Sequence, residues 1–136
     1  MDGEASVDDH AQGLLKLAYI KLGDGEHEAA MEACRQAEKR PGAAPLARAL
    51  QGAVLSARGD TKEAMSYLMK WHRRHPDAIG IRIYLAEACW LEGRKRRAHR
   101  LLDESEGLEE EGWGQMADSL RETWGMLEDL ENSPAQ

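Results

Sequence analysis

The chain has 136 residues and a net charge of −7, with a pI near 5.2. Its length fits one domain with a buried core, and its negative charge disfavours a main role in non-specific nucleic-acid binding. Aromatic residues make up 5% and phenylalanine is absent, which disfavours a β-sandwich, where β-branched and aromatic residues dominate.

The two cysteines and the first ten residues favour a cytoplasmic protein. Cys34 and Cys89 fall at apolar positions of predicted helices, so we expect buried free thiols rather than a secreted disulfide framework. The N-terminal MDGEASVDDH is acidic and has no apolar run, unlike a signal peptide or a mitochondrial targeting helix. No stretch approaches the roughly 20 apolar residues of a membrane span. We therefore expect no membrane partner.

Glycines, prolines and apolar periodicity divide the chain into seven predicted helices. Apolar residues spaced by three and four mark one face of each helix, and Gly25 and Pro41 follow the first two helices as terminators. The helices are expected at about residues 9–22, 26–39, 44–58, 61–74, 77–91, 94–105 and 113–131. Residues 79–84, IGIRIY, have β propensity, but we assign them to a helix because an internal repeat requires one there. Residues 1–8 are expected to be disordered, 9–131 to form one domain and 132–136 to fray.

That repeat has a period of 34 residues. Gly25, Gly59 and Gly93 are separated by this step, and each lies between two predicted helices. Three further sets keep the same step: Ala30, Ala64 and Ala98; Cys34, Leu68 and Leu102; Ala18, Gly52 and Ala86. A period of this length is typical of stacked helical hairpins.

These residues resemble the tetratricopeptide repeat (TPR) family. The middle repeat matches its pattern best, through Gly52, Leu55, Gly59, Ala64, Leu68 and Pro76, whereas the third lacks the terminal proline and the first has Lys21 at a position that is usually apolar. The resemblance implies an all-α, right-handed superhelix of three hairpins, over about residues 11–42, 45–76 and 79–110. The seventh helix, 113–131, does not restart the repeat, and we expect it to cap the apolar end of the array.

In TPR arrays the first helices of successive hairpins line a concave groove that binds peptides or partner helices. Transferring this register predicts a groove formed by Leu15, Tyr19, Leu22, Leu46, Ala49, Ala53, Ser56, Ile83, Glu87 and Trp90. Arrays that clamp the acidic C-terminus of heat-shock chaperones carry Lys, Asn and Arg at such positions, so no carboxylate clamp is expected here. The mostly apolar surface favours an apolar or amphipathic, helical partner segment. The C-terminal helix or a second copy of the chain are the alternative occupants.

A cluster of basic residues begins the sixth predicted helix. Its members, called the basic cluster here, are Arg94, Lys95, Arg96, Arg97 and Arg100. Cations at a helix N-terminus oppose the macrodipole, and a broken local rule can mark a binding surface, here for an acidic partner. A solvated convex face and an RNA-binding patch are the alternatives, the latter disfavoured by the overall acidity.

No pattern for catalysis or a cofactor is present. His72 and His75 are three residues apart but lie beside Arg73 and Arg74, which would repel a divalent cation, so no metal site is expected. Nucleophile–base arrangements, paired catalytic carboxylates and phosphate-binding glycine loops are lacking.

The sequence therefore predicts a non-catalytic protein-binding adaptor or chaperone without a cofactor. Its size, acidity and architecture are similar to those of bacterial type III secretion chaperones, which sequester aggregation-prone subunits. The alternatives are a self-associating, homo-oligomeric scaffold and, with less support, an RNA-associated adaptor that uses the basic cluster.

Overall fold

The computed structural model describes residues 8–105 and 112–132, which form seven α-helices. The helices are α1 (Asp9–Gly23), α2 (His27–Glu38), α3 (Ala44–Ala57), α4 (Thr61–Arg74), α5 (Ile79–Leu91), α6 (Lys95–Ser105) and α7 (Trp113–Glu131). No strand occurs within these residues. The IGIRIY stretch is helical, because burial of its apolar face against its neighbours outweighs its local β propensity.

Consecutive helices from α1 to α6 pack against each other, and the hairpins stack through their first helices. Helix α3 contacts both α1 and α5, so these three form an inner layer, while α2, α4 and α6 form the outer layer. Helix α7 packs against α5. The predicted all-α helical repeat superhelix is confirmed. None of the helices in the described part of the chain is long and apolar enough to cross a membrane.

Each hairpin turns at one of the repeated glycines. The φ angles are +76° at Gly25, +97° at Gly59 and +80° at Gly93. In the middle hairpin the Gly59 amide donates to the Ser56 carbonyl (3.1 Å) and the Asp60 amide to the Leu55 carbonyl (2.9 Å). This is a Schellman motif, which satisfies the free carbonyls of a helix end and requires a left-handed residue. The other two turns have equivalent hydrogen bonds, so backbone geometry explains the 34-residue glycine step.

Small residues at the repeated positions let the two helices of a hairpin approach closely. A Cβ atom added to Gly52 would lie 2.3 Å from Cδ2 of Leu68, which is itself fully buried. Alanine occupies the equivalent positions 18 and 86, and both alanines are buried. The alanines at 30, 64 and 98 have no exposed surface. The repeat is therefore a packing requirement as well as a turn requirement.

Helix α7 is fixed to the third hairpin by aromatic and polar contacts. The Trp124 ring stacks on Trp90 with centroids 4.7 Å apart, and the His99 ring meets both edge-on. Lys95 Nζ lies 2.7 Å from the carboxylate of Glu131, which joins α6 to the far end of α7. The helix therefore covers the third repeat, as a capping helix would.

Some expectations fall outside the described residues. These are the disorder of residues 1–7 and the frayed end at 133–136. Asp8, which was grouped with the disordered segment, caps α1 instead: its carboxylate accepts from the Ala11 amide (2.7 Å) and pairs with Arg40 (2.8 Å). Aspartate is a preferred N-cap residue, which the sequence analysis overlooked at this position.

We expect Gly59→Ala to lower the free energy of unfolding by about 1 kcal/mol or more, because alanine at φ +97° is strained. Gly23→Ala is the matched control, since Gly23 ends α1 with no atom within 4 Å of an added Cβ and no positive φ. That variant should be neutral or slightly stabilising. Urea unfolding followed by circular dichroism measures both, and equal stability of the two variants would contradict the turn assignment.

Candidate functional site

The concave face of the inner layer holds an open cleft of about 630 Å³. Helices α1, α3 and α5 form its floor, and the first turn of α7 forms one wall. The lining residues, which define the apolar cleft, are Leu15, Lys16, Tyr19, Leu46, Leu50, Tyr84, Gly112, Trp113, Gln115 and Met116. Most of these side chains are apolar, which is typical of a binding surface rather than of a solvated face.

Two of the lining side chains are exposed apolar groups at the mouth of the apolar cleft. Tyr19 is 64% exposed and Leu46 is 37% exposed. Tyr84 at the floor is buried, and its ring meets Trp113 edge-on at a centroid distance of 5.7 Å. Gly80 makes room for this wall, because a Cβ there would lie 2.8 Å from the Trp113 ring. The apolar cleft therefore depends on where α7 begins as well as on the repeats.

A smaller cleft of about 280 Å³ lies at the C-terminal ends of the inner helices. Its lining residues, which define the C-terminal cleft, are Leu22, Ala53, Ser56, Ala57, Tyr84, Glu87 and Leu91. Tyr84 lines both clefts, so the two lie next to each other on the inner layer; together they are called the groove here. The groove is apolar at one end and contains a carboxylate at the other.

Glu87 is the ionisable group of the C-terminal cleft. Burial raises the pKa of this carboxyl above its ordinary range, with no contribution from a neighbouring charge. No described residue forms a hydrogen bond or an ion pair with it. Two basic residues lie next to lining residues in the sequence, Lys21 in α1 and Arg58 after α3. Both already form ion pairs, Lys21 with Glu26 and Arg58 with Asp60. The carboxylate is therefore an uncompensated acceptor.

Most of the predicted groove residues do line the two clefts. The apolar cleft contains Leu15, Tyr19 and Leu46, and the C-terminal cleft contains Leu22, Ala53, Ser56 and Glu87. Their role in binding a partner stays a prediction.

Three of the predicted groove residues lie elsewhere. Ala49 and Ile83 are fully buried, so neither side chain is free to meet a partner. Trp90 is half-buried and stacks on Trp124 of α7, so the capping helix already occupies the surface expected for a partner. A variant at Trp90 would loosen α7 rather than test the groove.

One row of lining residues was not predicted from the sequence. Lys16, Leu50 and Tyr84 are separated by 34 residues and all line the apolar cleft. The repeat could have indicated this row, because equivalent positions share one face of the inner layer. The wall residues Trp113 and Met116 had no such signal, since α7 lies outside the repeat.

The basic cluster lies at the start of α6, away from the groove. Lys95 is paired with Glu131, and Arg97 donates to the Met69 sulfur at 3.3 Å. Arg94, Arg96 and Arg100 are exposed. Docking of an acidic partner on this surface stays a prediction.

The histidines and cysteines singled out in the sequence serve packing. The His75 ring stacks on Trp71 at 6.2 Å, and burial together with Arg82 lowers the pKa of His72. Within residues 8–105 and 112–132, no group of three His, Cys, Asp or Glu could hold a metal ion. Cys34 and Cys89 are unpaired and buried, and burial raises the pKa of the Cys34 thiol to about 12, so the thiolate that reacts is disfavoured.

No protein-family model matches the chain, and no curated protein matches its sequence. A comparison with solved structures finds similarity to the Sgt2 TPR domain from Aspergillus fumigatus, with 13% identity and a TM-score of 0.63. The match covers 96% of this chain and 89% of that domain. Together with the repeated turns and crossings, it shows that the protein has a TPR-like fold.

We expect Glu87→Gln to stabilise the protein without a partner at pH 7. Because the pKa of Glu87 is raised in the folded protein, ionisation of this carboxyl lowers the free energy of unfolding as the pH rises through that pKa. The amide removes a half-buried charge that has no ion pair among the described residues, and because solvent still reaches the carboxylate, the gain is expected to be about 1 kcal/mol or less. The gain should vanish below pH of about 4, where the glutamate is protonated in both states.

Thermal unfolding between pH 4 and pH 7 measures this difference. Glu32→Gln on α2 removes the same charge from an exposed position and should change the melting temperature little at any pH. A pH-independent effect of Glu87→Gln would contradict the uncompensated state of this carboxylate.

Proposed function

We propose that this protein is a non-catalytic adaptor that binds an apolar or amphipathic helical segment of a partner protein in its concave groove. The observation that carries the proposal is the apolar cleft, where exposed Tyr19 and Leu46 lie over a floor of buried side chains. Tyrosine is among the residue types that most often anchor protein interfaces.

A helical segment fits the groove because its apolar residues recur on one face at every third or fourth position. The apolar cleft and the C-terminal cleft lie on either side of Tyr84, so a helix that spans both would make contacts along several of its turns. The first turn of α7 borders the cleft but does not fill it, since Trp113 packs beside Tyr84. The capping helix covers the predicted surface at Trp90, and this arrangement favours an external partner as the occupant of the apolar cleft.

A chaperone is the narrower form of the proposal. An adaptor that covers the apolar face of a partner helix keeps that face from aggregating. The size and acidity of this protein favour such a role, which is similar to that of secretion-system chaperones. The net charge of −7 would help keep such a complex in solution.

We expect Tyr19→Ala to weaken binding of an amphipathic helical peptide about tenfold or more, because it removes an interface anchor. The probe is a fluorescein-labelled synthetic peptide of about 18 residues, five helical turns, with leucines along one face. Fluorescence anisotropy gives its dissociation constant for the wild-type protein and for each variant.

Ile20→Ala is the matched control, since Ile20 is the next residue on α1, is 52% exposed and does not line either cleft. Its dissociation constant should stay within about twofold of the wild-type value, because surface changes away from an interface have small effects. Leu46→Glu should weaken binding further by placing a charge at the mouth of the apolar cleft. Equal effects at Tyr19 and Ile20 would refute the groove as the binding surface.

A self-associating scaffold is the second candidate, and exposed side chains on α7 favour it. Met126, Leu127 and Leu130 are 61%, 41% and 71% exposed. A patch of this kind can pair with its own copy across a two-fold axis.

For this second candidate we expect the wild-type protein to sediment as a dimer and the double variant Met126→Glu, Leu130→Glu as a monomer. The substitutions place charges in the centre of the patch and should leave folding intact, because both side chains are exposed. Sedimentation velocity over a range of concentrations distinguishes monomer from dimer. A wild-type protein that is monomeric at every concentration would rule the scaffold out.

A further inference from the structure

The C-terminal cleft contains two hydrogen-bond acceptors without partners. Glu87 has no ion pair or hydrogen bond among the described residues, and its burial is not offset by a nearby charge. The Ser56 hydroxyl, which lines the same cleft, is buried and also lacks a hydrogen-bond partner there. Buried polar groups are normally satisfied, so the buried Ser56 hydroxyl requires an explanation. The half-buried Glu87 carboxylate lines the same cleft, and none of the described lining residues is a cation.

The described residues that line the C-terminal cleft include no cation that could pair with Glu87. Leu22, Ala53 and Leu91 supply apolar walls, and the adjoining Tyr84 is a neutral phenol. Burial raises the pKa of Tyr84 as well, so this hydroxyl stays protonated. A second carboxylate is absent from the lining. The cleft is therefore small, contains one carboxylate and has mostly apolar walls.

We propose that the partner helix carries a lysine or arginine whose cationic group enters the C-terminal cleft and pairs with Glu87. The ammonium or guanidinium group would donate to the carboxylate and to the Ser56 hydroxyl, while its alkyl stem packs against the apolar walls. This inference rests on the proposed function, because it assigns chemistry to a segment that the groove binds.

The position of the basic residue in the partner follows from the helix geometry of α5. Glu87 follows Tyr84 by three residues, about one helical turn or roughly 5 Å along the axis. Tyr84 also forms the floor of the apolar cleft. A partner helix that lies along α5 would thus place its basic residue three or four positions from the apolar residue that fills the apolar cleft.

The same pair would give the protein its partner specificity. Glu87 costs stability while the groove is open, and a cationic group from the partner removes that cost. A neutral side chain at this position would leave the carboxylate buried and unpaired, and an acidic one would add repulsion. The C-terminal cleft therefore discriminates between amphipathic helices that share the same apolar face.

Three synthetic peptides test this pairing. All three have the sequence of the fluorescein-labelled probe, with leucines along one face of the helix. They differ at one position, three residues after the central leucine, which is Lys, Gln or Glu. Fluorescence anisotropy at low ionic strength gives their dissociation constants for wild-type protein, Glu87→Gln and Glu32→Gln. We expect wild-type protein and Glu32→Gln to bind the Lys peptide about tenfold more tightly than the Gln peptide, and the Glu peptide most weakly.

Glu87→Gln should reduce the Lys preference to within about twofold while it retains affinity for the Gln peptide. This variant is expected to fold, since it removes a half-buried charge, and circular dichroism checks that it does. Similar affinity of wild-type protein for all three peptides would overturn the inference and leave the proposed function standing. A Lys preference that survives Glu87→Gln would also overturn it. Absence of binding for every peptide would overturn both proposals.

Discussion

Helices α3 and α4 cross so closely that a methyl group on Gly52 would overlap the Leu68 side chain. The equivalent alanines, Ala18 and Ala86, keep the inner and outer layers near each other in the flanking hairpins. Because this close crossing recurs every 34 residues, each hairpin presents the same faces to its neighbours. Stacking then buries a continuous core that no single hairpin could form. The concave groove is the surface that remains on the inner layer after this packing is complete.

The groove combines two parts of the chain that have different origins. Its floor comes from repeat-equivalent positions, such as Leu50 and Tyr84, which the stacking places side by side. Its wall comes from α7, which stands outside the repeat and is held by the Trp90–Trp124 stack. Since Trp113 meets Tyr84 at the point where floor and wall join, the docking of the cap shapes the apolar cleft. Loss of the cap should therefore affect binding as well as stability.

Stability and binding make opposite demands on the C-terminal cleft. Glu87 would be less costly as a neutral residue in the free protein, yet its carboxylate is the feature that can select a basic partner residue. The buried Ser56 hydroxyl also lacks a hydrogen-bond partner, which lowers the stability of the free protein by less than an unpaired charge would. The basic cluster on α6 lies on a different surface, where Lys95 already joins α6 to α7. The two charged features therefore have separate roles in the structure.

The seven helices and their repeat could be predicted from the sequence because their causes are local or periodic. A positive φ at Gly59 requires glycine, and a close crossing at Gly52 requires a small residue, wherever the hairpins finally lie. The groove was only partly predicted, because each residue turns a helix by about 100° and neighbour packing decides which row faces outward. That packing buried Ile83, and α7 covered Trp90. The sequence by itself determined the TPR-like array; the tertiary structure decided which side chains remain free to meet a partner, because exposure depends on contacts between helices distant in the chain.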